Sequence, residues 1–129
     1  MKGLKSNGTP IRVMAVDDSP VTRKLIKKAL QPEGFTVVGE AGNGKEAVEL
    51  YPRLKPDIIT MDVTMPIMDG LQAASVIKKL DANQKILMLS AMSDNDIIAE
   101  AATYGIKHFC SKPFKPQQMV QKILEALEK

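Results

Sequence analysis

Five side chains able to hold a cation or act on phosphorus follow short apolar runs in this chain. Asp17 and Asp18 come after Ile11–Val16, Asp62 after Ile58–Met61, Ser90 after Lys85–Leu89, and Lys112 after His108–Ser111. If each run is a parallel strand, these residues share the carboxyl edge of an open α/β sheet, where ligand chemistry gathers. Carboxylates crowded there repel one another unless a divalent cation sits among them, and an all-oxygen donor set suits Mg²⁺ better than zinc. A carboxylate can also attack phosphorus and form an acyl phosphate. Asp62, single and directly behind an apolar strand, is the candidate nucleophile, with Asp17 and Asp18 beside it as metal ligands. Lys112 offers a compact cation for phosphoryl oxygens, and Ser90 offers a hydroxyl donor. The pattern predicts a metal and phosphoryl site.

Strand-length and helix-length patterns alternate along the chain to carry these residues. After the strand Ile11–Val16, Ser19 is a candidate N-cap and Pro20 a first helical residue, opening a helix to about Gln31 that Pro32 and Gly34 end. Its apolar face reads as Val21, Leu25, Ile26 and Leu30. Thr36–Ala41 is the second strand, Gly42-Asn43-Gly44 its turn, and Lys45–Leu54 a helix turning Ala47, Val48, Leu50, Tyr51 and Leu54 inward, with Pro52 disturbing its end. Ile58–Met61 has no alternation, as expected of a strand covered on both faces. A loop from Val63 to Asp69, a helix Gly70–Leu80, the strand Lys85–Leu89 and a helix from about Asp94 to Tyr104, stopped by Gly105, follow. The short strand His108–Ser111 leads through Lys112-Pro113 and Pro116 to a last helix with Met119, Val120, Ile123, Leu124 and Leu127 on one side. Five such β-then-α units predict right-handed crossovers and a three-layer α/β sandwich around a five-stranded parallel sheet.

A length of 129 residues fits one domain, expected as a flexible N-terminal tail over 1–10 and a folded unit over 11–129, with no room for a separate effector domain. No apolar run approaches the roughly 20 residues of a membrane span, and the amino terminus lacks an apolar signal-type stretch. The expected location is therefore the cytoplasm, with no membrane insertion. The single cysteine, Cys110, falls in a central strand and reads as a small core residue. A net charge of +3 does not select nucleic acid, because the lysines are scattered and an aromatic content of 4% is too low for a stacking platform; no DNA partner is expected. The cluster Arg23, Lys24, Lys27, Lys28 reads as a solvated helix face. His108, the only histidine, belongs to the last strand and reads as packed or superficial rather than catalytic. Met65, Met68, Met88 and Met92 read as core or loop filler, those near the pocket mouth being adaptable enough for a partner surface. A rival lies in Gly39-Glu40-Ala41-Gly42-Asn43-Gly44-Lys45, which follows a strand and opens a helix as a phosphate-binding loop does. It fails at Glu46, where such loops place a Ser or Thr on Mg²⁺.

Val16-Asp17-Asp18-Ser19, Pro56-Asp57-Ile58-Ile59-Thr60-Met61-Asp62, Met65-Pro66-Ile67-Met68-Asp69-Gly70, Ser90-Ala91 and Lys112-Pro113-Phe114 together resemble the receiver domain of bacterial two-component response regulators, and most of all its stand-alone chemotaxis members. The likeness covers nearly all of the chain after the first ten residues. It implies a flavodoxin-like, CheY-like fold with strand order 2-1-3-4-5. It further implies Asp62 as phosphoacceptor, Asp17 and Asp18 as the acidic pair for Mg²⁺, and the backbone carbonyl of Thr64 as a further metal ligand. Ser90 and Lys112 become the switch hydroxyl and the phosphate-contacting lysine, and the Lys112-Pro113 peptide is expected cis. The implied partners are a sensor histidine kinase and a downstream protein target such as a flagellar motor switch. The implied catalysis is confined to the chain's own phosphorylation and dephosphorylation.

One departure bears on mechanism. Phe109 stands where relatives often have a switch tyrosine, and its ring can turn inward but cannot donate a hydrogen bond. The expected switch is that phosphorylated Asp62 draws Ser90 toward it, Phe109 fills the vacated space, and the surface of helix four, strand five and helix five is remodelled. Thr64 and Met92, two residues beyond Asp62 and Ser90, resemble the variable positions that tune phosphoryl lifetime. Two other classes share the same carboxylates. A metal-dependent phosphatase or phosphotransferase would need a further acid-base residue or a cap, and a phosphorylation-independent binding module would not need the cation at all.

Overall fold

Three runs are apolar at consecutive rather than alternate positions, the mark of strands covered on both faces. In the computed structural model, which describes residues 1–91 and 95–128, they form β1 (Arg12–Val16), β3 (Ile58–Asp62) and β4 (Lys85–Ser90). With β2 (Thr36–Ala41) and β5 (His108–Ser111) they make a five-stranded parallel sheet in the order β2-β1-β3-β4-β5, as expected. Successive side chains leave on opposite faces. Val13, Ala15, Ile58, Leu87 and Leu89 meet Ile26 and Leu30 of α1 (Pro20–Leu30) and Met119 and Ile123 of α5 (Pro116–Glu128). Met14, Val16, Ile59, Met61 and Met88 meet α2 (Gly44–Leu54), α3 (Gly70–Leu80) and α4 (Asn95–Thr103) through Ala47, Tyr51, Leu71, Ile77 and Ala101. Cys110 lies in the first of these clusters as a small apolar filler.

Caps fix where the helices start relative to the strand ends. Ser19 Oγ accepts from Thr22 N at 3.2 Å before α1, and Asn43 Oδ1 from Glu46 N at 2.9 Å before α2. Before α3, Asp69 Oδ1 accepts from Gln72 N at 2.8 Å while Gln72 Oε1 accepts from Asp69 N at 3.2 Å, a reciprocal capping box.

Several expectations need adjustment. Asp62 and Ser90 are the last residues of β3 and β4 rather than the first residues beyond them, and α2 begins at Gly44. Helix one does not bury the face expected of it: Val21 is 67% and Leu25 51% exposed, while Ile26, Ala29 and Leu30 are buried. The reason is rotational. Leu25 precedes buried Ile26 by one step, about 100° around the helix, and Val21 lies one turn before Leu25 on the same outward side. Asp94, expected as the start of helix four, and Met92 lie outside the described residues.

Residues 1–10, expected as a flexible tail, fold back as a short hairpin. Leu4 bridges Pro10 antiparallel, and Asn7 Oδ1 accepts from Thr9 N at 3.0 Å and Thr9 Oγ1 at 2.7 Å, closing the turn. Gly3 N donates to Glu33 O at 2.8 Å and Ile11 N to Gly3 O at 2.7 Å. Gly3 is thereby pressed on Phe35, where a Cβ would come within 2.4 Å, and Lys5 Nζ lies 3.0 Å from Asp57 Oδ2. Among the described residues no helix is long and apolar enough to cross a membrane.

Candidate functional site

The register of the parallel strands brings the acids together. Val16 stands opposite Met61, so one further step along each strand sets Asp17 beside Asp62. Asp17 is fully buried: its backbone N donates to Ala41 O at 3.0 Å, and its Oδ1 accepts from Ser19 N at 2.9 Å. Asp18 is exposed at the mouth. One oxygen from each of Asp17, Asp18 and Asp62 lies within 4.8 Å of the other two.

Lys112, one residue past β5, reaches over this edge. Its Nζ is 2.7 Å from Asp17 Oδ2 and 3.2 Å from Asp62 Oδ1. Lys112 N donates to Ser90 O at 2.9 Å, locking the ends of β4 and β5, and the Lys112-Pro113 peptide is cis. Ser90 is half-buried at the end of β4, opposite Ser111. Thr64 is exposed two residues beyond Asp62. Phe109 is half-buried opposite Met88 and packs on the cluster shared with α3 and α4. The structure thus brings Asp17, Asp18, Asp62 and Lys112 together, with Ser90 at the neighbouring strand end.

Their electrostatics show a site in want of positive charge. The Asp62 pKa is raised to about 6, by burial first and by the Asp17 charge second, and Lys112 offsets only part of this. Burial alone would lower the Lys112 pKa, but the bonds and charges of Asp17 and Asp62 outweigh it and raise the value. Three carboxylates against one ammonium suit a divalent cation, and a donor set made only of carboxylate oxygens fits a hard ion such as Mg²⁺. The site passes that chemical test.

Two residues that position the site were not singled out for this role from sequence. Gly70 N donates to Val63 O at 2.8 Å, and a Cβ on Gly70 would fall 1.9 Å from Asp62 O, so only glycine lets α3 start against the end of β3. Gly44 N donates to Met68 O at 2.9 Å, and a Cβ there would stand 2.5 Å from that oxygen. The turn before α2 is therefore a buttress for the β3–α3 loop. The only sequence signal was a glycine at each helix start. The same turn disposes of the phosphate-loop reading, because Glu46 Oε1 itself accepts from Gly42 N at 2.6 Å, taking a donor a phosphate would need.

The basic cluster on α1 is partly committed. Arg23 Nε and Lys27 Nζ lie 3.1 and 2.7 Å from the Glu40 carboxylate, and those bonds lower the Glu40 pKa. Met88 and Met65 are buried and Met68 packs on the core, which is the filler role.

Comparison with known proteins agrees with this geometry. The model of the response regulator receiver domain family matches residues 13–124. The chain is 47% identical over 110 residues to chemotaxis protein CheY of Thermotoga maritima, covering 85% of this chain and 92% of that protein. It is 44% identical over 118 residues to chemotaxis protein CheY of Bacillus subtilis, covering 92% and 95% respectively. A chain in the crystal structure of the CheX-CheY-BeF3-Mg+2 complex from Borrelia burgdorferi superposes with a TM-score of 0.94 at 33% identity, covering 99% of this chain and 98% of that one.

Proposed function

The chain belongs to the family of response regulator receiver domains, and from that premise we propose that it is a chemotaxis response regulator whose phosphoacceptor is Asp62. The observation that carries the reading is the cluster of Asp17, Asp18 and Asp62 oxygens within 4.8 Å, with Lys112 bridging two of them. An Asp62 carboxylate oxygen attacks the phosphorus of a phosphohistidine on a sensor kinase. The O–P bond forms as the N–P bond breaks, and the imidazole leaves with the electron pair and takes a proton from water. Asp17, Asp18, Asp62 and the Thr64 backbone carbonyl would hold Mg²⁺, which would supply positive charge between the two approaching anions. Lys112 Nζ, 3.2 Å from Asp62 Oδ1, passes from the free carboxylate to a phosphoryl oxygen, a role suited to a compact ammonium with three donors.

Ser90 then donates its hydroxyl to the phosphoryl group. Its shift toward Asp62 opens space along β4 into which Phe109 turns, and the surface of α4, β5 and α5 changes shape for a downstream protein. Support for a Mg²⁺ cofactor and a protein target comes from the similar Borrelia burgdorferi CheY, crystallised in complex with CheX, BeF3 and Mg+2. Exposed Ile67 on the β3–α3 loop and Val21 in the first turn of α1 give the acidic mouth an apolar rim for the kinase. Signalling between a kinase and a motor switch implies a cytoplasmic protein.

Incubating the whole chain with acetyl phosphate tests the proposal. A gain of one phosphoryl group by mass spectrometry is expected only with Mg²⁺ and is lost in Asp62→Asn. Equal labelling of Asp62→Asn, or labelling indifferent to Mg²⁺, overturns it.

A further inference from the structure

Away from the acidic edge, positive charge gathers in one concavity at the opposite, amino-terminal edge of the sheet. A cavity of about 170 Å³ opens below β4 and β5, lined by Lys78, Gln84, Lys85, Gly105, Lys107 and His108 with neighbouring apolar residues. That is far more than the ~10–15 Å³ one water needs. Among the described residues, lysines contribute three of its lining residues and carboxylates none.

Lys78 is held in place rather than waving in solvent. Its Nζ donates to Ala82 O at 2.8 Å and Gln84 O at 3.1 Å, in the turn that joins α3 to β4. An ammonium has three donors, so one remains for a ligand. Burial and the charge of Lys85 both lower the Lys78 pKa. The carboxylate that acts on Lys78, Asp81, is engaged elsewhere, accepting from Tyr51 Oη at 3.1 Å and Asn83 N at 3.0 Å. Gly105, left-handed at φ 81, makes the turn into β5 beside Lys78, whose Cε lies at ordinary contact distance, 3.7 Å, from where a Cβ would stand.

We propose that this cavity binds a phosphate-sized dianion, free or as the end group of a small organophosphate, on Lys78, Lys85 and Lys107. Such an anion takes the third Lys78 donor, relieves the repulsion between Lys78 and Lys85, and ties the α3–β4 connection to the α4–β5 connection. The site lies at the other end of the strands from Asp62 and does not depend on phosphorylation there.

Amide NMR of the whole chain, titrated with inorganic phosphate, with a nucleoside monophosphate, and with chloride at equal ionic strength, tests this. Saturable shifts are expected at residues 78–86 and 105–108. Lys78→Gln and Lys85→Gln should each weaken binding about tenfold, the loss of roughly one charge-assisted hydrogen bond. Because Lys85→Gln leaves the Lys78 carbonyl bonds in place, its loss of affinity is not a loss of fold. Tighter binding of the monophosphate supports the site and assigns it to an organophosphate, and equal binding assigns it to free phosphate. Shifts that chloride reproduces, or that survive both substitutions, overturn the proposal.

Discussion

At the scale of single residues, Asp62 is costly to keep charged. Its folded pKa of about 6, set first by burial and then by Asp17, compares with an ordinary 3.8. Between those values the folded chain holds more protons than the unfolded one, so the contribution of Asp62 to stability falls as pH rises through that window. The metal-free Asp62→Asn variant should therefore be more stable than the wild type by about 3 kcal/mol at pH 7, since raising a pKa by one costs about 1.36 kcal/mol. The gain should shrink towards zero near pH 4; urea melts in EDTA at the two pH values measure it. These acids were legible in sequence because each follows an apolar run and has a residue type suited to a hard cation. What could not be read was that Lys112 reaches both Asp17 and Asp62, since that depends on how β5 sits relative to β1 and β3 across the sheet.

At the scale of elements, the loops after the strands set the geometry. Gly70→Ala puts a methyl 1.9 Å from the Asp62 carbonyl oxygen, and forcing that backbone apart should cost about 3 kcal/mol or more, comparable to severe overpacking. A lowered denaturation midpoint together with weakened Mg²⁺ binding is the expected pair of results. Ile67 is the opposite case: a β-branched residue at φ 69 and 78% exposed. Ile67→Asn or Ile67→Gly should stabilise the chain by about 1 kcal/mol, because such residues tolerate the left-handed region, and thermal melts would show it. In the switch, beryllofluoride with Mg²⁺ should move the Phe109 ring resonances, and an unchanged ring environment would exclude Phe109 from the relay. Strand and helix identities were legible from consecutive apolar runs, caps and glycine stops. The outward turn of Val21 and Leu25 was not, because both fit a helical stripe and only packing decides which side of a broad stripe is covered.

At the scale of the whole molecule, sheet order and acidic edge belong together, since order 2-1-3-4-5 sets β1 against β3 and so Asp17 against Asp62. A ligand that binds only the folded state stabilises it, and Mg²⁺ at 100 times its Kd should add about 2.7 kcal/mol, a rise of about 10 °C in Tm. Asp17→Asn should abolish that rise. The docked hairpin of residues 1–10 was less legible: Asn7-Gly8 signals a turn, but nothing local announces that Gly3 will pack on Phe35, far along the chain. The most direct measurement concerns the acyl phosphate itself. After incubation with acetyl phosphate and Mg²⁺, borohydride reduces a phosphorylated aspartate to homoserine, which peptide mass spectrometry can place. Homoserine at position 62 alone, and only with Mg²⁺ present, is the predicted result; homoserine at 17, 18 or 57, or at no position, would contradict it.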